Sequence, residues 1–237
     1  MSGHRTSEEI LLSYQEKFGD DEGKLFHTIE NEFQVLLVKL NYVRALYTDE
    51  ENLKILRETD SQFFSIVKIA LIESIVVGIG RLFDPIESFK RLNVSLEHLA
   101  LKLESQEIID KVMAAKEYFK DKIKIHRDKK IAHIDFETMM NRFEIPNYNF
   151  EHIQGLMDIL KEVFNSIHIV HFESSTYYEG LEIKSNFPII FFLKDALIHF
   201  DLVETAYETG TIPHWKPSKG AHVKLYDSEW FELVRKK

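Results

Sequence analysis

Apolar positions recur at steps of three and four along most of this chain, with short polar breaks between the runs. That period is helical. Thr6 and Glu9 have capping-box spacing and open a short amphipathic helix that ends near Phe18. From Asp21, the stripe Leu25, Phe26, Ile29, Phe33, Leu36, Leu37, Leu40 and Val43 predicts a helix long enough to span a domain. Thr48 with Glu51 repeats the box ahead of Leu53 and Leu56. A third helix is predicted from Asp60 or Ser61 to Phe83, just before Pro85. It is the most apolar segment, but Lys68, Glu73 and Ser74 interrupt it, so it reads as a central bundle helix rather than a membrane span.

Ser95 opens a brief helix, and Ser105 a long one through Ile108, Val112, Ala115, Phe119 and Ile123 to about Ile134. Pro146 and Asn147 break the chain, and Asn149 caps a helix through Ile153, Leu156, Leu160, Phe164 and Ile167. Residues 174–188 read as a loop or hairpin arm. The segment from Pro188 to Glu208 suits one helix, although its first residues also suit a strand. Pro213, Trp215, Pro217 and Gly220 predict an irregular tail. The expected fold class is all-α, an up-and-down helical bundle over 1–175. An extension, 176–237, is expected to pack on the same domain, with Phe187, Phe191, Phe192 and Phe200 in the core or, alternatively, at an interface with a second chain or another partner.

Composition narrows the function. Only 9 glycines and 5 prolines in 237 residues argue against a turn-rich β-sandwich or barrel. With 0 cysteines there is no disulfide framework, Cys-ligated zinc, iron–sulfur cluster or thiol catalysis. The start of the chain lacks a secretory pattern, so a cytoplasmic location is expected. A net charge of −9 is poor footing for a general nucleic-acid binder. No Walker loop, G-x-G-x-x-G, G-x-S-x-G or H-E-x-x-H occurs. His168, His171 and Glu173 have a spacing that suits a metal, but the repeated Glu-x-x-His pairs of a di-iron bundle are missing, so neither metal nor other cofactor is expected.

Between Lys116 and Lys130, 7 basic residues face 3 acidic ones. Taken alone this is a solvated helix face; taken with an acidic remainder, it is a docking place for an anion. Inside it runs His126-Arg127-Asp128-Lys129-Lys130-Ile131-Ala132-His133-Ile134-Asp135, and one long helix earlier Gly80-Arg81-Leu82-Phe83-Asp84-Pro85. These segments resemble the HEPN domains, and among them the abortive-infection subfamily, whose signature is an Arg, then a polar residue, then a His a few positions on. Arg127, Asp128 and His133 fill those places, and the resemblance covers roughly residues 20–175.

The resemblance implies a HEPN-type bundle, usually a homodimer with the motif helix at the interface. It implies either a metal-independent ribonuclease of phage defence or toxin–antitoxin systems, or a catalytically silent nucleotide-binding or protein-interaction module. In the first case the partner is RNA, with an antitoxin or defence protein as a possible regulator, and no membrane is involved. His133 suits proton transfer at a ribose 2′-OH, Arg127 suits charge stabilisation at the phosphate, and Asp128 suits orientation of either. Lys130, His126 and Arg81 are the candidate substrate-binding residues, although Arg81 also suits pairing with Asp84 at its helix end. At ~100° per residue, Arg127 and His133 lie about 120° apart on a straight helix, so a long Arg stem, a helix break or a second chain is needed to bring them together.

Overall fold

A computed structural model describes residues 5–131, 149–176, 178 and 188–208. Helices α1 (Ser7–Phe18), α2 (Asp20–Tyr47) and α3 (Glu50–Leu82) come first, followed by a two-rung hairpin, β1 (Glu87–Ser88) and β2 (Arg91–Leu92). Then come α4 (Leu96–Lys102), α5 (Gln106–Lys122), the single turn α6 (Lys124–His126) and a π-helical turn, Arg127–Ile131. Helices α7 (Phe150–Phe172) and α8 (Pro188–Glu208) follow. The fold is an all-α bundle with an extra C-terminal helix.

Local chemistry sets the boundaries. The Thr6–Glu9 capping box is present in both directions. The second box is not: Thr48 closes α2 by donating its hydroxyl to the Arg44 carbonyl, and Asp49 caps α3 through the Asn52 amide. The cap falls to Asp49, one residue on, whose charged oxygen is the stronger acceptor. Asp60 leaves helical geometry with φ −162° and ψ 93°, and its carboxylate caps Phe63, so α3 is two helices joined at a kink. Ser95 and Asn149 cap α4 and α7 as their sequence suggests.

The core is the seam between α2, α5 and α7, with the C-terminal half of α3 laid against it. Phe26, Ile29, Phe33, Leu36, Ile75, Ile79, Phe164 and Ile167 are fully enclosed. Phe33 and Phe164 stack with ring centroids 4.4 Å apart. The middle of α3, just past the kink, is not central: Phe63, Ile66 and Ile69 are 55%, 58% and 54% exposed. By length and composition this helix is apolar enough to cross a membrane, yet only 28% of its most apolar window is buried. Residues Pro188–Glu208 form a helix, not a strand, and pack on α3. That helix keeps Phe191 and Phe192 at 63% and 68% exposure, which overturns their expected place in the core. Phe187 and the tail beyond 208 lie outside the described residues.

Candidate active site

The long helix expected from Ser105 to about Ile134 does not run straight. It breaks at Ile123 (φ −123°, ψ −40°), takes one short turn, and widens into the π-helical turn that carries Arg127. Such widened turns add a residue and re-aim side chains, so straight-helix geometry does not hold through Arg127–Ile131. His133 lies outside the described residues, as do the side chain of Lys130 and the whole of Asp135.

Arg127 occupies a specific seat. Its guanidinium lies over Gly80 of α3, where a Cβ would sit 2.5 Å from both Cδ and Nη1. Only a residue without a side chain admits the stem there. Nε donates to Asp128 at 2.7 Å, and Nη1 is 3.6 Å from Asp84. The guanidinium carbon lies 5.6 Å from the centre of the Phe119 ring, which stacks in turn on Phe83 at 5.0 Å. Gly80, Phe83 and Asp84, read from sequence only as a motif end, are therefore the floor and wall of the site that Arg127 needs. The residue spacing carried that signal; the contact itself required the bundle to bring α3 beside the end of α5.

The remaining predicted residues fall in different places. Asp128 is beside Arg127 and also accepts from Lys124. Burial pushes its carboxyl up, but the hydrogen bonds from Lys124 and Arg127 outweigh this and hold it below the usual Asp range. Arg81 faces away from Asp84 and pairs with Glu32 of α2 at 3.5 Å, with its own side chain 64% exposed. His126 is 3% exposed, so within one chain its imidazole faces the core rather than a ligand.

The basic stretch is less electropositive than its composition suggests. Lys116 pairs with Glu97, Lys120 with Glu117, Lys122 with Asp121, Lys124 with Asp128, and Arg127 with Asp128 and Asp84. Exposed pairs of this kind add little stability, but they do cancel the local field. Phosphate approaching Arg127 therefore competes with two carboxylates already in place.

A second polar cluster gives little sign of itself in the sequence. Glu30, 3% exposed within the apolar stripe of α2, accepts hydrogen bonds from the Tyr14 hydroxyl at 2.5 Å and the Tyr178 hydroxyl at 2.7 Å. His168 Nε2 lies 2.7 Å from the same carboxylate. Burial pushes Glu30 up, yet these three partners together hold its pKa below the ordinary value. Burial, with the Glu30 charge behind it, drives both phenols far above their usual range. His168 is thus committed to Glu30, and His171 instead packs edge-on against Phe18 at 5.0 Å, which removes the His168–His171 metal reading. An acid at an i+4 position of the Phe26 stripe was the available clue.

No curated protein and no solved structure matches the chain. A family model does, HEPN_AbiU2, described as AbiU2, over residues 12–185. That span takes in α2 and α3, the seat on Gly80, the Arg127 turn and all of α7, and the chain belongs to the AbiU2 family of HEPN proteins.

Proposed function

We propose that this protein is a cytoplasmic, metal-independent endoribonuclease that acts as a homodimer in phage defence or as a regulated toxin. The observation that carries the reading is the built seat of Arg127, formed by Gly80 of α3, Asp84 just beyond it and Phe119 of α5. RNA brings its own nucleophile, so the protein must supply alignment, a proton acceptor and charge stabilisation. His133 takes the 2′-OH proton as O2′ bonds to phosphorus, and a protonated group returns one to O5′ as the P–O5′ bond breaks. Arg127 holds the phosphate oxygens as charge builds, while Asp128 fixes the plane of the guanidinium. The products are a 2′,3′-cyclic phosphate and a 5′-OH. Cleavage of a labelled structured RNA in EDTA, abolished by His133→Ala and by Arg127→Ala, is the expected result.

The family resemblance implies dimerisation through the motif helix; a second, apolar face away from that helix is also open to a partner. Val35, Tyr42, Phe63 and Ile189 line an apolar groove of about 1060 Å³, and the exposed stripe Phe191, Ile198 and Leu202 of α8 stands beside it as a ridge. A ridge next to a groove suits a two-fold arrangement in which each copy fills the other. Lys194, Asp195 and Asp201 on α8 suit a protein partner better than lipid.

The second reading is a catalytically silent module, and one observation favours it: Asp84 and Asp128 already compensate the Arg127 charge. In that case no RNA is cleaved in EDTA and Arg127→Ala lowers thermal stability without any enzymatic loss.

A further inference from the structure

Immediately after the Asp84 that faces Arg127, the chain makes a hairpin whose tip has no structural partner among the described residues. Strands β1 and β2 pair Glu87 with Leu92 and Ser88 with Arg91, leaving Phe89 and Lys90 as a two-residue turn. Both residues have positive φ, 50° and 61°. A turn of this kind normally uses Asn-Gly, because side chains with a Cβ are strained there and a bulky one most of all. Phe89 is nevertheless 99% exposed, so burial does not offset the strained conformation.

The base of the hairpin is fixed. The Asn93 amide donates to the Ile86 carbonyl at 2.8 Å, and its side chain donates to the Pro85 carbonyl at 2.6 Å and to Ser88 at 3.0 Å. His98 in turn holds the Asn93 carbonyl at 3.0 Å. A rigid base beneath a strained tip presents one aromatic ring to solvent in a set direction. Lys90 and Arg91 flank that ring, both exposed, and among the described residues neither forms an ion pair. They differ in this from the cations of the motif helix, most of which are paired.

Resting on the ribonuclease reading above, we infer that Phe89 is a base-stacking finger for single-stranded RNA, with Lys90 and Arg91 on the adjoining phosphates. Every base offers a π-face, so an exposed ring can hold an unpaired nucleotide without reading its sequence. Strain that brings no packing is kept where it presents a functional group. Asp84 and Pro85 join the finger directly to the wall of the Arg127 seat, so a nucleotide held at the tip leaves its neighbours within reach of that site.

The test uses the full chain and a fluorescein-labelled 2′-O-methyl oligouridine, which lacks the attacking hydroxyl and so separates binding from cleavage. Phe89→Ala is expected to weaken binding by roughly 5- to 100-fold, the loss of one stacked base, and Phe89→Trp to retain it. Lys90→Ala with Arg91→Ala is expected to flatten the salt dependence by about 0.7 for each phosphate no longer neutralised. Phe89→Gly relieves the positive φ and is expected to raise Tm by about 2–4 °C while lowering affinity, a combination that separates the finger from a structural role. If wild type binds the oligomer and Phe89→Ala binds it equally, the finger is overturned and the ribonuclease reading stands. If wild type binds no RNA at all, the ribonuclease reading itself fails and takes the finger with it.

Discussion

Gly80→Ala tests the Arg127 seat with one methyl group. The added Cβ would meet Arg127 Cδ and Nη1 at 2.5 Å and Cζ at 3.2 Å, so the guanidinium must leave. These atoms end a flexible side chain, and no backbone has to move. Alanine in a helix gains about 0.5–1 kcal/mol over glycine. Displacing Arg127 removes it from the Phe119 ring, a pairing worth roughly 0.5–1 kcal/mol, and from a weak pairing with the half-exposed Asp84. The two effects nearly cancel, so Tm is expected to stay within about 4 °C of wild type. Activity has no such compensation: a displacement of ~1 Å at a positioning group costs on the order of 10²-fold in rate. The assay is initial-rate cleavage of a fluorogenic RNA in EDTA, with Tm measured on the same samples. Adding Gly80→Ala to Arg127→Ala should cost no further activity, because the methyl acts only through the side chain already removed. Wild-type rates in Gly80→Ala, or additive losses in the double variant, would refute the seat.

Further outcomes follow from contacts elsewhere. Gly23→Ala places a Cβ at 2.5–2.7 Å from backbone atoms of Tyr14 and Gln15, so α1 must shift from α2 and thermal scans should show a loss of about 1–3 kcal/mol, unlike the near-neutral change at Gly80. Glu30→Gln leaves His168 and two phenols around a neutral amide and should cost about 3–5 kcal/mol in urea titrations. Because the folded pKa of Glu30 is depressed, its stabilisation is present above the unfolded value of about 4.3 and is lost as pH falls through the lower folded one. The acid limb of the stability profile should therefore flatten in Glu30→Gln, and an unchanged limb would count against an ionised Glu30. The chain has 0 cysteines, so co-expressed Val35→Cys and Ile198→Cys chains should form a disulfide-linked heterodimer on gels, while a Leu101→Cys control on α4 should not.

Periodicity finds the helices because each buries a stripe, and burial imposes the 3.6-residue repeat wherever it happens. It misjudges the middle of α3 and most of α8 for the same reason: Ile66, Ile69, Phe191 and Phe192 are apolar, and a sequence does not say whether an apolar face meets its own chain or another surface. The cap at Asp49 rather than Thr48 is a choice between adjacent acceptors that only geometry decides. For the site, Arg127 and Asp128 are legible as a motif, and the Gly80–Asp84 segment as its companion. That Gly80 is the place where the guanidinium lies cannot be read from sequence, because the contact joins positions 47 apart through a helix crossing. Glu30 escapes notice because an acid inside an apolar stripe looks like an interruption until its three donors are seen.

Those donors also set an order of assembly. Glu30 leaves the ribosome 138 positions before His168 and 148 before Tyr178. Until then only Tyr14 is at hand, and a carboxylate with one donor keeps its water rather than enter an apolar interior. The pocket around Glu30 is therefore expected to close only after α7 and Tyr178 have been made.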